Sequence, residues 1–250
     1  MEDNILSNNG NNNDPFYIIG SPSNYSFKNN TRSGSASGGG SGIRQQLVRP
    51  LYYEAKNMNP LQIIAILSFV VFFLFARREN AYAFPACVLY GAVTGVLAFE
   101  NGLYGLVLLC VYFIAASTYG WLLWRKRDRK GHRVLRISYS SGKELLMQGL
   151  IFAVSFAAIY AALHYAGHLF PAGAIDWVDA LVYAGSVAAV WGMVNKKTEN
   201  WYWWMASNAV AVPAYVAKHY LLYSGFHFLL FAISVWALFK WKRRMTRRRV

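Results

Sequence analysis

The chain has 250 residues, of which 56% are hydrophobic, and its 25 basic and 11 acidic residues give a formal net charge of +14. A nucleic-acid-binding protein would carry such a charge, but it would not contain apolar runs that are too long to stay in water. The two cysteines, Cys87 and Cys110, form no CxxC pair, so the sequence gives no sign of a disulfide framework or a cysteine metal site.

The N-terminal part of the chain differs in composition from the rest. Residues 1–42 are rich in Asn and then in Gly and Ser. Such a composition cannot bury an apolar core, so we interpret this part as a flexible tail, either native or added for expression. Residues 43–59 mix basic and apolar side chains, which predicts a short interfacial segment before the first long apolar run.

Seven apolar segments occupy most of the remaining chain. They lie at roughly 60–76, 82–99, 103–124, 143–168, 176–195, 200–220 and 221–240. About 20 residues of helix are needed to cross a bilayer. The predicted fold class is therefore an all-α polytopic membrane protein with seven transmembrane helices.

Basic residues cluster in the connections on one side of these helices. They lie within 77–78, 125–133, 196–197 and 240–249. Short cytoplasmic loops carry an excess of Lys and Arg, so we expect the C-terminus in the cytoplasm and the N-terminus outside.

Two sequence echoes indicate an internal repeat. Residues 78–82 (Arg-Glu-Asn-Ala-Tyr) recur 120 residues later as 198–202 (Thr-Glu-Asn-Trp-Tyr), each at the start of the second helix of a set of three. Each set also ends on a Trp followed by two bases, at Trp124 and Trp241. Both observations together indicate a unit of three helices that occurs twice.

The repeat divides the chain into units. We interpret 60–124 and 176–241 as two three-helix repeats, joined by 125–175, a basic cytoplasmic loop with one linking helix, and followed by a basic tail at 242–250. A single linking helix gives both repeats the same orientation. The predicted arrangement is therefore three, one and three helices, with two parallel repeats related by an axis along the membrane normal.

The start of the sixth helix holds the strongest candidate for a binding site. At 100° per residue, Trp201, Trp204 and Asn208 fall on one helix face, with Tyr215 and His219 further along it. An Asn inside a membrane helix is unfavourable against lipid, so Asn208 should face a neighbouring helix or a water-filled cavity. This face predicts one wall of a small-molecule pocket. The alternatives are an interfacial aromatic belt for Trp201 and an interhelical hydrogen bond for Asn208.

Pro and Gly mark the second helix of each set. Pro85 and Pro213 each remove a backbone hydrogen bond, which would loosen the helix as a rocking transporter requires. Gly91-x-x-x-Gly95 predicts close contact with a neighbouring helix.

Polar residues near the helix ends have structural interpretations. His164-x-x-x-His168 has the spacing to share a metal ion, but no third ligand is evident. We expect Lys218 to extend toward the interface, Asp179 to cap the fifth helix, and Glu144 to lie at the interface.

Several motifs are missing from the sequence. It contains no GxxxxGK[ST], HExxH or GxSxG motif and no file of acidic residues at mid-membrane. We therefore predict no cofactor, no metal and no catalytic residue, and we expect a solute to move down its own gradient. The alternative from another class, a membrane-embedded enzyme or a scaffold subunit, would need a catalytic constellation that the sequence does not offer.

Over about residues 60–241 the sequence resembles the PnuC family of bacterial vitamin transporters. The resemblance rests on Leu103-Tyr104, Tyr119-Gly120-Trp121 and Trp124, on Asp179 and Ser186, and most specifically on Glu199-Asn200-Trp201-x-x-Trp204-x-x-x-Asn208. It implies a SWEET-like fold in a bacterial inner membrane and facilitated diffusion of nicotinamide riboside, a vitamin B3 precursor, by alternating access. It also implies that a cytoplasmic kinase drives uptake by phosphorylating the substrate for NAD biosynthesis.

The resemblance also implies which residues contact the vitamin. Trp204 and Asn208 are the first candidates, and Trp201, Tyr119, Trp121, Cys87, Cys110 and Ser186 are weaker ones. An indole face attracts the cationic pyridinium, and the Asn208 amide complements a carboxamide. Because Cys87 and Cys110 stand where family members carry amides, thiamine or riboflavin stays open as the substrate. A homo-oligomer such as a trimer is also left open.

Overall fold

Seven α-helices form the part of the chain that the structure, a computed structural model, describes: residues 58–170, 176–218 and 220–247. The helices are α1 (Pro60–Arg77), α2 (Ala83–Glu100), α3 (Tyr104–Arg125), α4 (Gly142–Tyr165), α5 (Asp176–Val194), α6 (Asn200–Ala217) and α7 (Leu221–Arg247). The predicted all-α fold with seven helices is confirmed. The predicted tail at 1–42 and nearly all of the interfacial segment at 43–59 lie outside the described residues.

The helix boundaries lie within three residues of the predicted ones, except at the end of α7. This helix was expected to stop near 240, but it continues to Arg247, so that most of the predicted basic tail is helical. Lys, Arg and Met are good helix formers, and nothing in the sequence of this segment terminates a helix.

The first turns of α1 and α4 are stabilised by reciprocal capping. The Asn59 side chain accepts a hydrogen bond from the backbone N–H of Leu61, and Gln62 Oε1 accepts one from the backbone N–H of Asn59, both at 2.9 Å. Ser141 and Glu144 form the same box at α4. Glu144 also lies 2.8 Å from Lys197 Nζ, so the residue expected at the interface ties α4 to the α5–α6 connection.

The helices pack as two trios. Within the first trio α2 lies against α1 and α3, and within the second α6 lies against α5 and α7. The trios meet mainly where α3 lies against α5 and α1 against α7, whereas α4 packs against α5. Two hydrogen bonds fasten α3 to α5: Tyr112 Oη donates to the Val187 carbonyl at 2.8 Å, and Trp124 Nε1 to the Val194 carbonyl at 2.9 Å.

The two trios coincide in their helix boundaries when one is shifted by 117 residues. This shift relates the ends of α1 and α5, the starts of α2 and α6, the ends of α2 and α6, and the starts of α3 and α7. It also relates two ring pairs of nearly the same geometry: Phe84 with Trp124, at 4.9 Å and 87°, and Trp201 with Trp241, at 5.4 Å and 88°.

The register of the repeat therefore differs from the one in the first sequence echo. The similarity between residues 78–82 and 198–202 implies a shift of 120, but the structure places those segments three residues, nearly one helical turn, out of step. The second echo, Trp124 and Trp241, has the structural shift. Helix boundaries and ring packing fix the register more firmly than three identical residues in a segment of five.

Equivalent residues of the two trios meet at one end of the bundle. Glu79 and Lys196, which are related by the shift of 117, both adopt positive φ angles, of 57° and 52°. Their side chains are 4% and 1% exposed, with Lys196 Nζ 3.6 Å from Glu79 Oε2. Arg244 Nη1 lies 2.8 Å from Glu79 Oε1, and Lys196 Nζ lies 4.6 Å from the centre of the Trp124 ring. We call this end, formed by residues 77–79, 126–138, 195–199 and 241–245, the basic end.

The two prolines have different consequences. Pro85 is the third residue of α2, where a backbone N–H has no partner within the helix, so the proline costs no hydrogen bond. The prediction that Pro85 loosens α2 is therefore wrong. Pro213 lies inside α6 and does interrupt its ladder. Nearby, Ser224 Oγ donates to the Val212 carbonyl at 3.0 Å and so connects α7 to the irregular turn.

Six of the seven described helices are long and apolar enough to cross a membrane, and α6 is the exception. It has the right length, 18 residues, but carries Asn200, Ser207 and Asn208 among its rings. The one described helix without such an apolar span is thus the one on which the binding residues were predicted.

Gly120 provides a test of the packing between the trios. A Cβ atom there would lie 2.5 Å from the Phe84 ring and 2.9 Å from Val194, so Gly120→Ala should lower the free energy of unfolding by about 1–3 kcal/mol. Gly149, inside α4, has open space around it, so Gly149→Ala should raise stability slightly. Thermal unfolding of the purified protein in detergent measures both changes. Equal effects of the two substitutions would contradict the packing.

Candidate functional site

A cavity of about 140 Å³ lies between the two trios. Its lining begins at Gln62, in the first turn of α1, and reaches Phe69, Trp204 and Asn208 further along the helices. Asn208 is at the middle of α6. The cavity therefore extends from the end of the bundle opposite the basic end to about half its depth.

Aromatic rings close the cavity toward the basic end. Phe72, Phe73, Trp201 and Trp241 are all fully buried there. Phe73 lies 4.8 Å from the Trp204 ring, centre to centre, which joins this cluster to the cavity wall. In this conformation a solute in the cavity has no way to the basic end without moving these rings.

The two trios line the cavity with equivalent positions, one set from each side. Seven such pairs, each 117 residues apart, contribute: Ala65 and Val182, Ile66 and Tyr183, Phe69 and Ser186, Tyr90 and Ser207, Leu106 and Tyr223, Leu109 and Phe226, and Cys110 and His227. The binding space is thus built by the repeat itself.

The two trios line the cavity with different chemistry. In four of the pairs the first trio contributes an apolar side chain or a thiol where the second contributes a polar group: Tyr183, Ser186, Tyr223 and His227. Asn208 adds an amide to the polar side. The cavity therefore has one mainly apolar wall and one hydrogen-bonding wall, which suits a flat aromatic molecule with a polar edge.

Asn208 is held by two hydrogen bonds within the protein. Its Nδ2 donates to the Trp204 carbonyl at 2.7 Å, and its Oδ1 lies 2.8 Å from His227 Nδ1. His227 in turn stacks on Tyr215, with ring centres 5.0 Å apart and planes at 13°. The interhelical hydrogen bond weighed as an alternative is thus present. It coexists with a cavity position, and an amide has one more donor and acceptor site to offer.

Three lining residues carry buried polar atoms with no hydrogen-bond partner in the described structure. They are Gln62 Nε2, Trp204 Nε1 and Ser207 Oγ. Each residue is at most 4% exposed. Because a buried unsatisfied donor costs about 1–3 kcal/mol, these atoms are candidates for contact with a bound molecule.

No Asp, Glu, Lys or Arg is among the residues described as lining the cavity. The nearest charges are paired: Lys218 Nζ lies 2.9 Å from Asp179 Oδ2, and the two side chains are only 12% and 13% exposed. Lys218 therefore turns inward to Asp179 rather than toward the interface, and Asp179 binds this lysine rather than serving only as a helix cap. His219 lies outside the described residues.

Four of the eight predicted site residues line the cavity. These are Trp204, Asn208, Cys110 and Ser186. Ser186 Oγ donates to the Val182 carbonyl of its own helix at 2.9 Å, so its oxygen still has acceptor capacity.

The other four predicted residues lie elsewhere. Trp201 and Cys87 are fully buried about one turn nearer the basic end than Trp204 and Tyr90, within the ring cluster that closes the cavity. Tyr119, which is half exposed, and Trp121 flank Gly120 on α3. Neither residue lines the cavity, and Trp121 packs against the edge of the buried ring cluster.

Sequence reasoning missed Gln62, Tyr90, Tyr183 and His227. His227 could have been found, because a shift of 117 from the candidate Cys110 leads to it. The shift of 120 implied by the first echo leads to Leu230 instead. Gln62 carries a pattern typical of a capping box, which gives no hint of a cavity position.

His164 and His168 form no metal site in the described residues, where no group of three potential ligands occurs. His164 Nδ1 lies 3.2 Å from Asp176 Oδ2, and its ring stacks on Tyr160. His164 is thus accounted for by contacts at the end of α4.

Comparisons with known proteins agree with this architecture. The model of the family described as nicotinamide mononucleotide transporter matches residues 59–243. The riboflavin/roseoflavin transporter RibM of Streptomyces davaonensis is 26% identical over 178 residues, which cover 68% of this chain and 78% of RibM. The nicotinamide riboside transporter PnuC of Escherichia coli is 24% identical over 145 residues, which cover 50% of this chain and 60% of PnuC.

A solved structure is similar in fold. The crystal structure of the vitamin B3 transporter PnuC superposes with a TM-score of 0.57 at 16% identity, covering 86% of this chain and 95% of that one. The family match spans six apolar membrane helices, and both curated relatives are transporters. The chain belongs to the nicotinamide mononucleotide transporter (PnuC) family and is a multi-pass membrane transporter rather than an enzyme.

Proposed function

We propose that this protein carries nicotinamide riboside across the bacterial inner membrane by facilitated diffusion with alternating access. The observation that carries the proposal is the cavity between the trios, with aromatic rings, one polar wall and no charged lining side chain among the described residues. A pyridinium ring is attracted to the faces of Trp204 and the tyrosines without a carboxylate. The carboxamide and ribose supply the polar edge that the second trio can bind.

The lining supports a nucleoside rather than a nucleotide as the substrate. A phosphate group is usually bound by Arg or Lys. The described lining offers neither. A phosphate would therefore lose its hydration without a counter-charge.

Rejection of phosphate fits uptake driven by a cytoplasmic kinase. The chain has no nucleotide-binding loop that could couple transport to ATP. Phosphorylation inside the cell would keep the free nucleoside concentration low and convert the solute into a form that the cavity does not accept. The gradient of the nucleoside alone then drives net uptake.

The basic end supplies the inner closure in this mechanism. The positive-inside rule assigns this end to the cytoplasm and so orients the N-terminus outward. The cavity then faces the outside, while Glu79, Lys196 and Arg244 close the cytoplasmic side above the buried rings. Release of the solute to the cytoplasm requires separation of Glu79 from Lys196, which also separates the two trios.

Riboflavin is the second candidate substrate. The similarity to RibM covers more of this chain, 68%, than the similarity to the E. coli PnuC, 50%. An uncharged isoalloxazine ring also suits a cavity without a carboxylate. Thiamine is less well supported, because the two curated relatives are transporters of riboflavin and of nicotinamide riboside.

We also propose that the protein forms a homo-oligomer, such as a trimer. α4 packs against α5 and leaves apolar side chains such as Leu146, Leu150 and Val154 more than half exposed. In a membrane either lipid or a second copy of the chain covers such a surface.

Binding of a panel of vitamins tests the substrate. Calorimetry or quenching of tryptophan fluorescence in detergent should give the highest affinity for nicotinamide riboside, with riboflavin second, among nicotinamide riboside, nicotinamide, thiamine and riboflavin. Nicotinamide mononucleotide should bind at least roughly tenfold more weakly than the riboside, because its phosphate finds no basic partner. Equal affinity for the two would contradict the nucleoside assignment, and binding of no compound would contradict the proposed function.

Substitution of Asn208 tests its role in the cavity. Asn208→Leu should abolish measurable binding of nicotinamide riboside, because it removes the amide and leaves His227 without its partner. Asn101→Leu is the matched control: Asn101 makes the same bond to the carbonyl four residues earlier, at 2.9 Å, but is exposed and outside the cavity. Both variants should elute as folded protein in detergent. Unchanged affinity in the Asn208 variant would remove this residue from the site.

Substitution of Glu79 tests the inner closure. Glu79→Gln should open the basic end more often, because Lys196 and Arg244 lose this carboxylate. Opening is reported by a cysteine introduced as Ala76→Cys, at a fully buried position, in a protein in which Cys87 and Cys110 are replaced by Ser. The rate at which a membrane-impermeant thiol reagent labels this cysteine is measured in inside-out vesicles.

Glu144→Gln is the control for that experiment. It removes a carboxylate that also pairs with a lysine at the basic end, but on the more exposed surface between α4 and α5. Labelling should rise severalfold in the Glu79 variant and stay at the parental level in the control. The same labelling rate in both variants would show that Glu79 does not hold the closure.

A further inference from the structure

His227 is one of the polar lining residues that the sequence patterns did not single out. It lies on α7, its ring stacks on Tyr215, and its Nδ1 lies 2.8 Å from Asn208 Oδ1. The equivalent position in the first trio is Cys110, which also lines the cavity. An imidazole and a thiol thus line the cavity from equivalent positions of the two trios.

The location of the proton on the His227 ring follows from the hydrogen bonds of Asn208. The backbone carbonyl of Trp204 can only accept, so the Asn208 group that lies 2.7 Å from it is the NH₂ group. The other end of the same amide, Oδ1, therefore faces His227, and it too can only accept. His227 Nδ1 must carry a hydrogen to donate to it.

The other ring nitrogen then becomes an acceptor. A buried imidazolium needs a carboxylate partner, and no carboxylate belongs to the described lining, so the ring is neutral. In a neutral imidazole only one nitrogen carries hydrogen, which leaves Nε2 with a lone pair. Nε2 makes no hydrogen bond within the described residues, whereas Gln62 Nε2 and Trp204 Nε1 are donors without a partner.

We propose that His227 Nε2 is a specificity-determining hydrogen-bond acceptor that selects substrates with an N–H or O–H donor on their polar edge. This inference rests on the proposed function. It assigns the class of compound that the cavity binds: a flat heterocycle whose edge combines that donor with carbonyl acceptors. A primary carboxamide and a cyclic imide both have this pattern. The equivalent residue of the first trio, Cys110, has a thiol that is only a weak acceptor, so the two walls differ in acceptor strength at this position.

Two pairs of probes test the acceptor. Nicotinamide riboside is compared with its N,N-dimethylcarboxamide analogue, and riboflavin with 3-methylriboflavin, because each methylated compound keeps its carbonyl groups and loses the N–H donor. Dissociation constants are measured by calorimetry for the full chain in detergent and for two variants. His227→Gln can still donate to Asn208 and offer an acceptor to the substrate, whereas His227→Phe can do neither.

The unsubstituted protein should bind the donor-bearing member of a pair about 5- to 100-fold more tightly than its methylated partner. His227→Phe should lose that preference, with both compounds at similar affinity, and His227→Gln should keep part of it. Persistence of the full preference in His227→Phe would mean that the methyl groups are rejected by their bulk, which overturns the proposal.

The design also remains informative if a variant does not fold. Equal affinity of the unsubstituted protein for both members of the pair it binds overturns the role of His227 while the transporter function stands. Binding of neither pair removes the proposed function itself, and this proposal with it.

Discussion

The ion pair between Glu79 and Lys196 joins two turns that occupy the same place in two trios of helices. Both residues are almost completely buried, both adopt left-handed backbone conformations, and Arg244 and the Trp124 ring surround them. A buried charge is tolerated only with such partners, so this contact fixes how the trios meet at the basic end. The cavity opens at the other end of the bundle, away from this contact.

The cavity illustrates how a repeat can lose its symmetry while keeping its geometry. Equivalent backbone positions line both walls, but in four of the seven pairs the second trio carries a polar side chain where the first carries an apolar side chain or a thiol. A symmetric cavity would bind an asymmetric solute equally well in two orientations. The divergence makes the two orientations inequivalent. Polar groups of α6 contribute to the second wall, and this helix is the one described helix without an apolar span long enough to cross a membrane.

The sequence was sufficient for the architecture and for part of the site. Apolar runs of bilayer length predicted the seven helices, because that signal is local and strong. Asn208 was recognised because an amide at the middle of a membrane helix has few explanations. Helical spacing placed Trp201 in the site as well, and the family resemblance placed Cys87 there, but neither signal distinguishes a cavity-lining position from one that lies a turn deeper in the packed core.

The remaining gaps in the prediction have one physical origin. His227 is a candidate site residue because it contacts Asn208 on a neighbouring helix, and no local sequence pattern around His227 predicts that contact. The register of the repeat would have connected it to Cys110, but a short resemblance of five residues suggested a register nearly one turn away. Similarly, the partner of Lys218 is Asp179, 39 positions earlier, so its orientation depends on tertiary packing.

The modest hydropathy of α6 has a consequence for how the protein is made. The helix carries two asparagines and an interrupting proline, and it is flanked by α5 and α7, which cover much of its polar surface. Only three residues separate it from α7, so the two enter the bilayer as a hairpin. During biosynthesis α6 therefore depends on the later emergence of α7 to become stably inserted. A chain whose synthesis stops between the two helices would expose the Asn208 amide to lipid and become a substrate for membrane quality control.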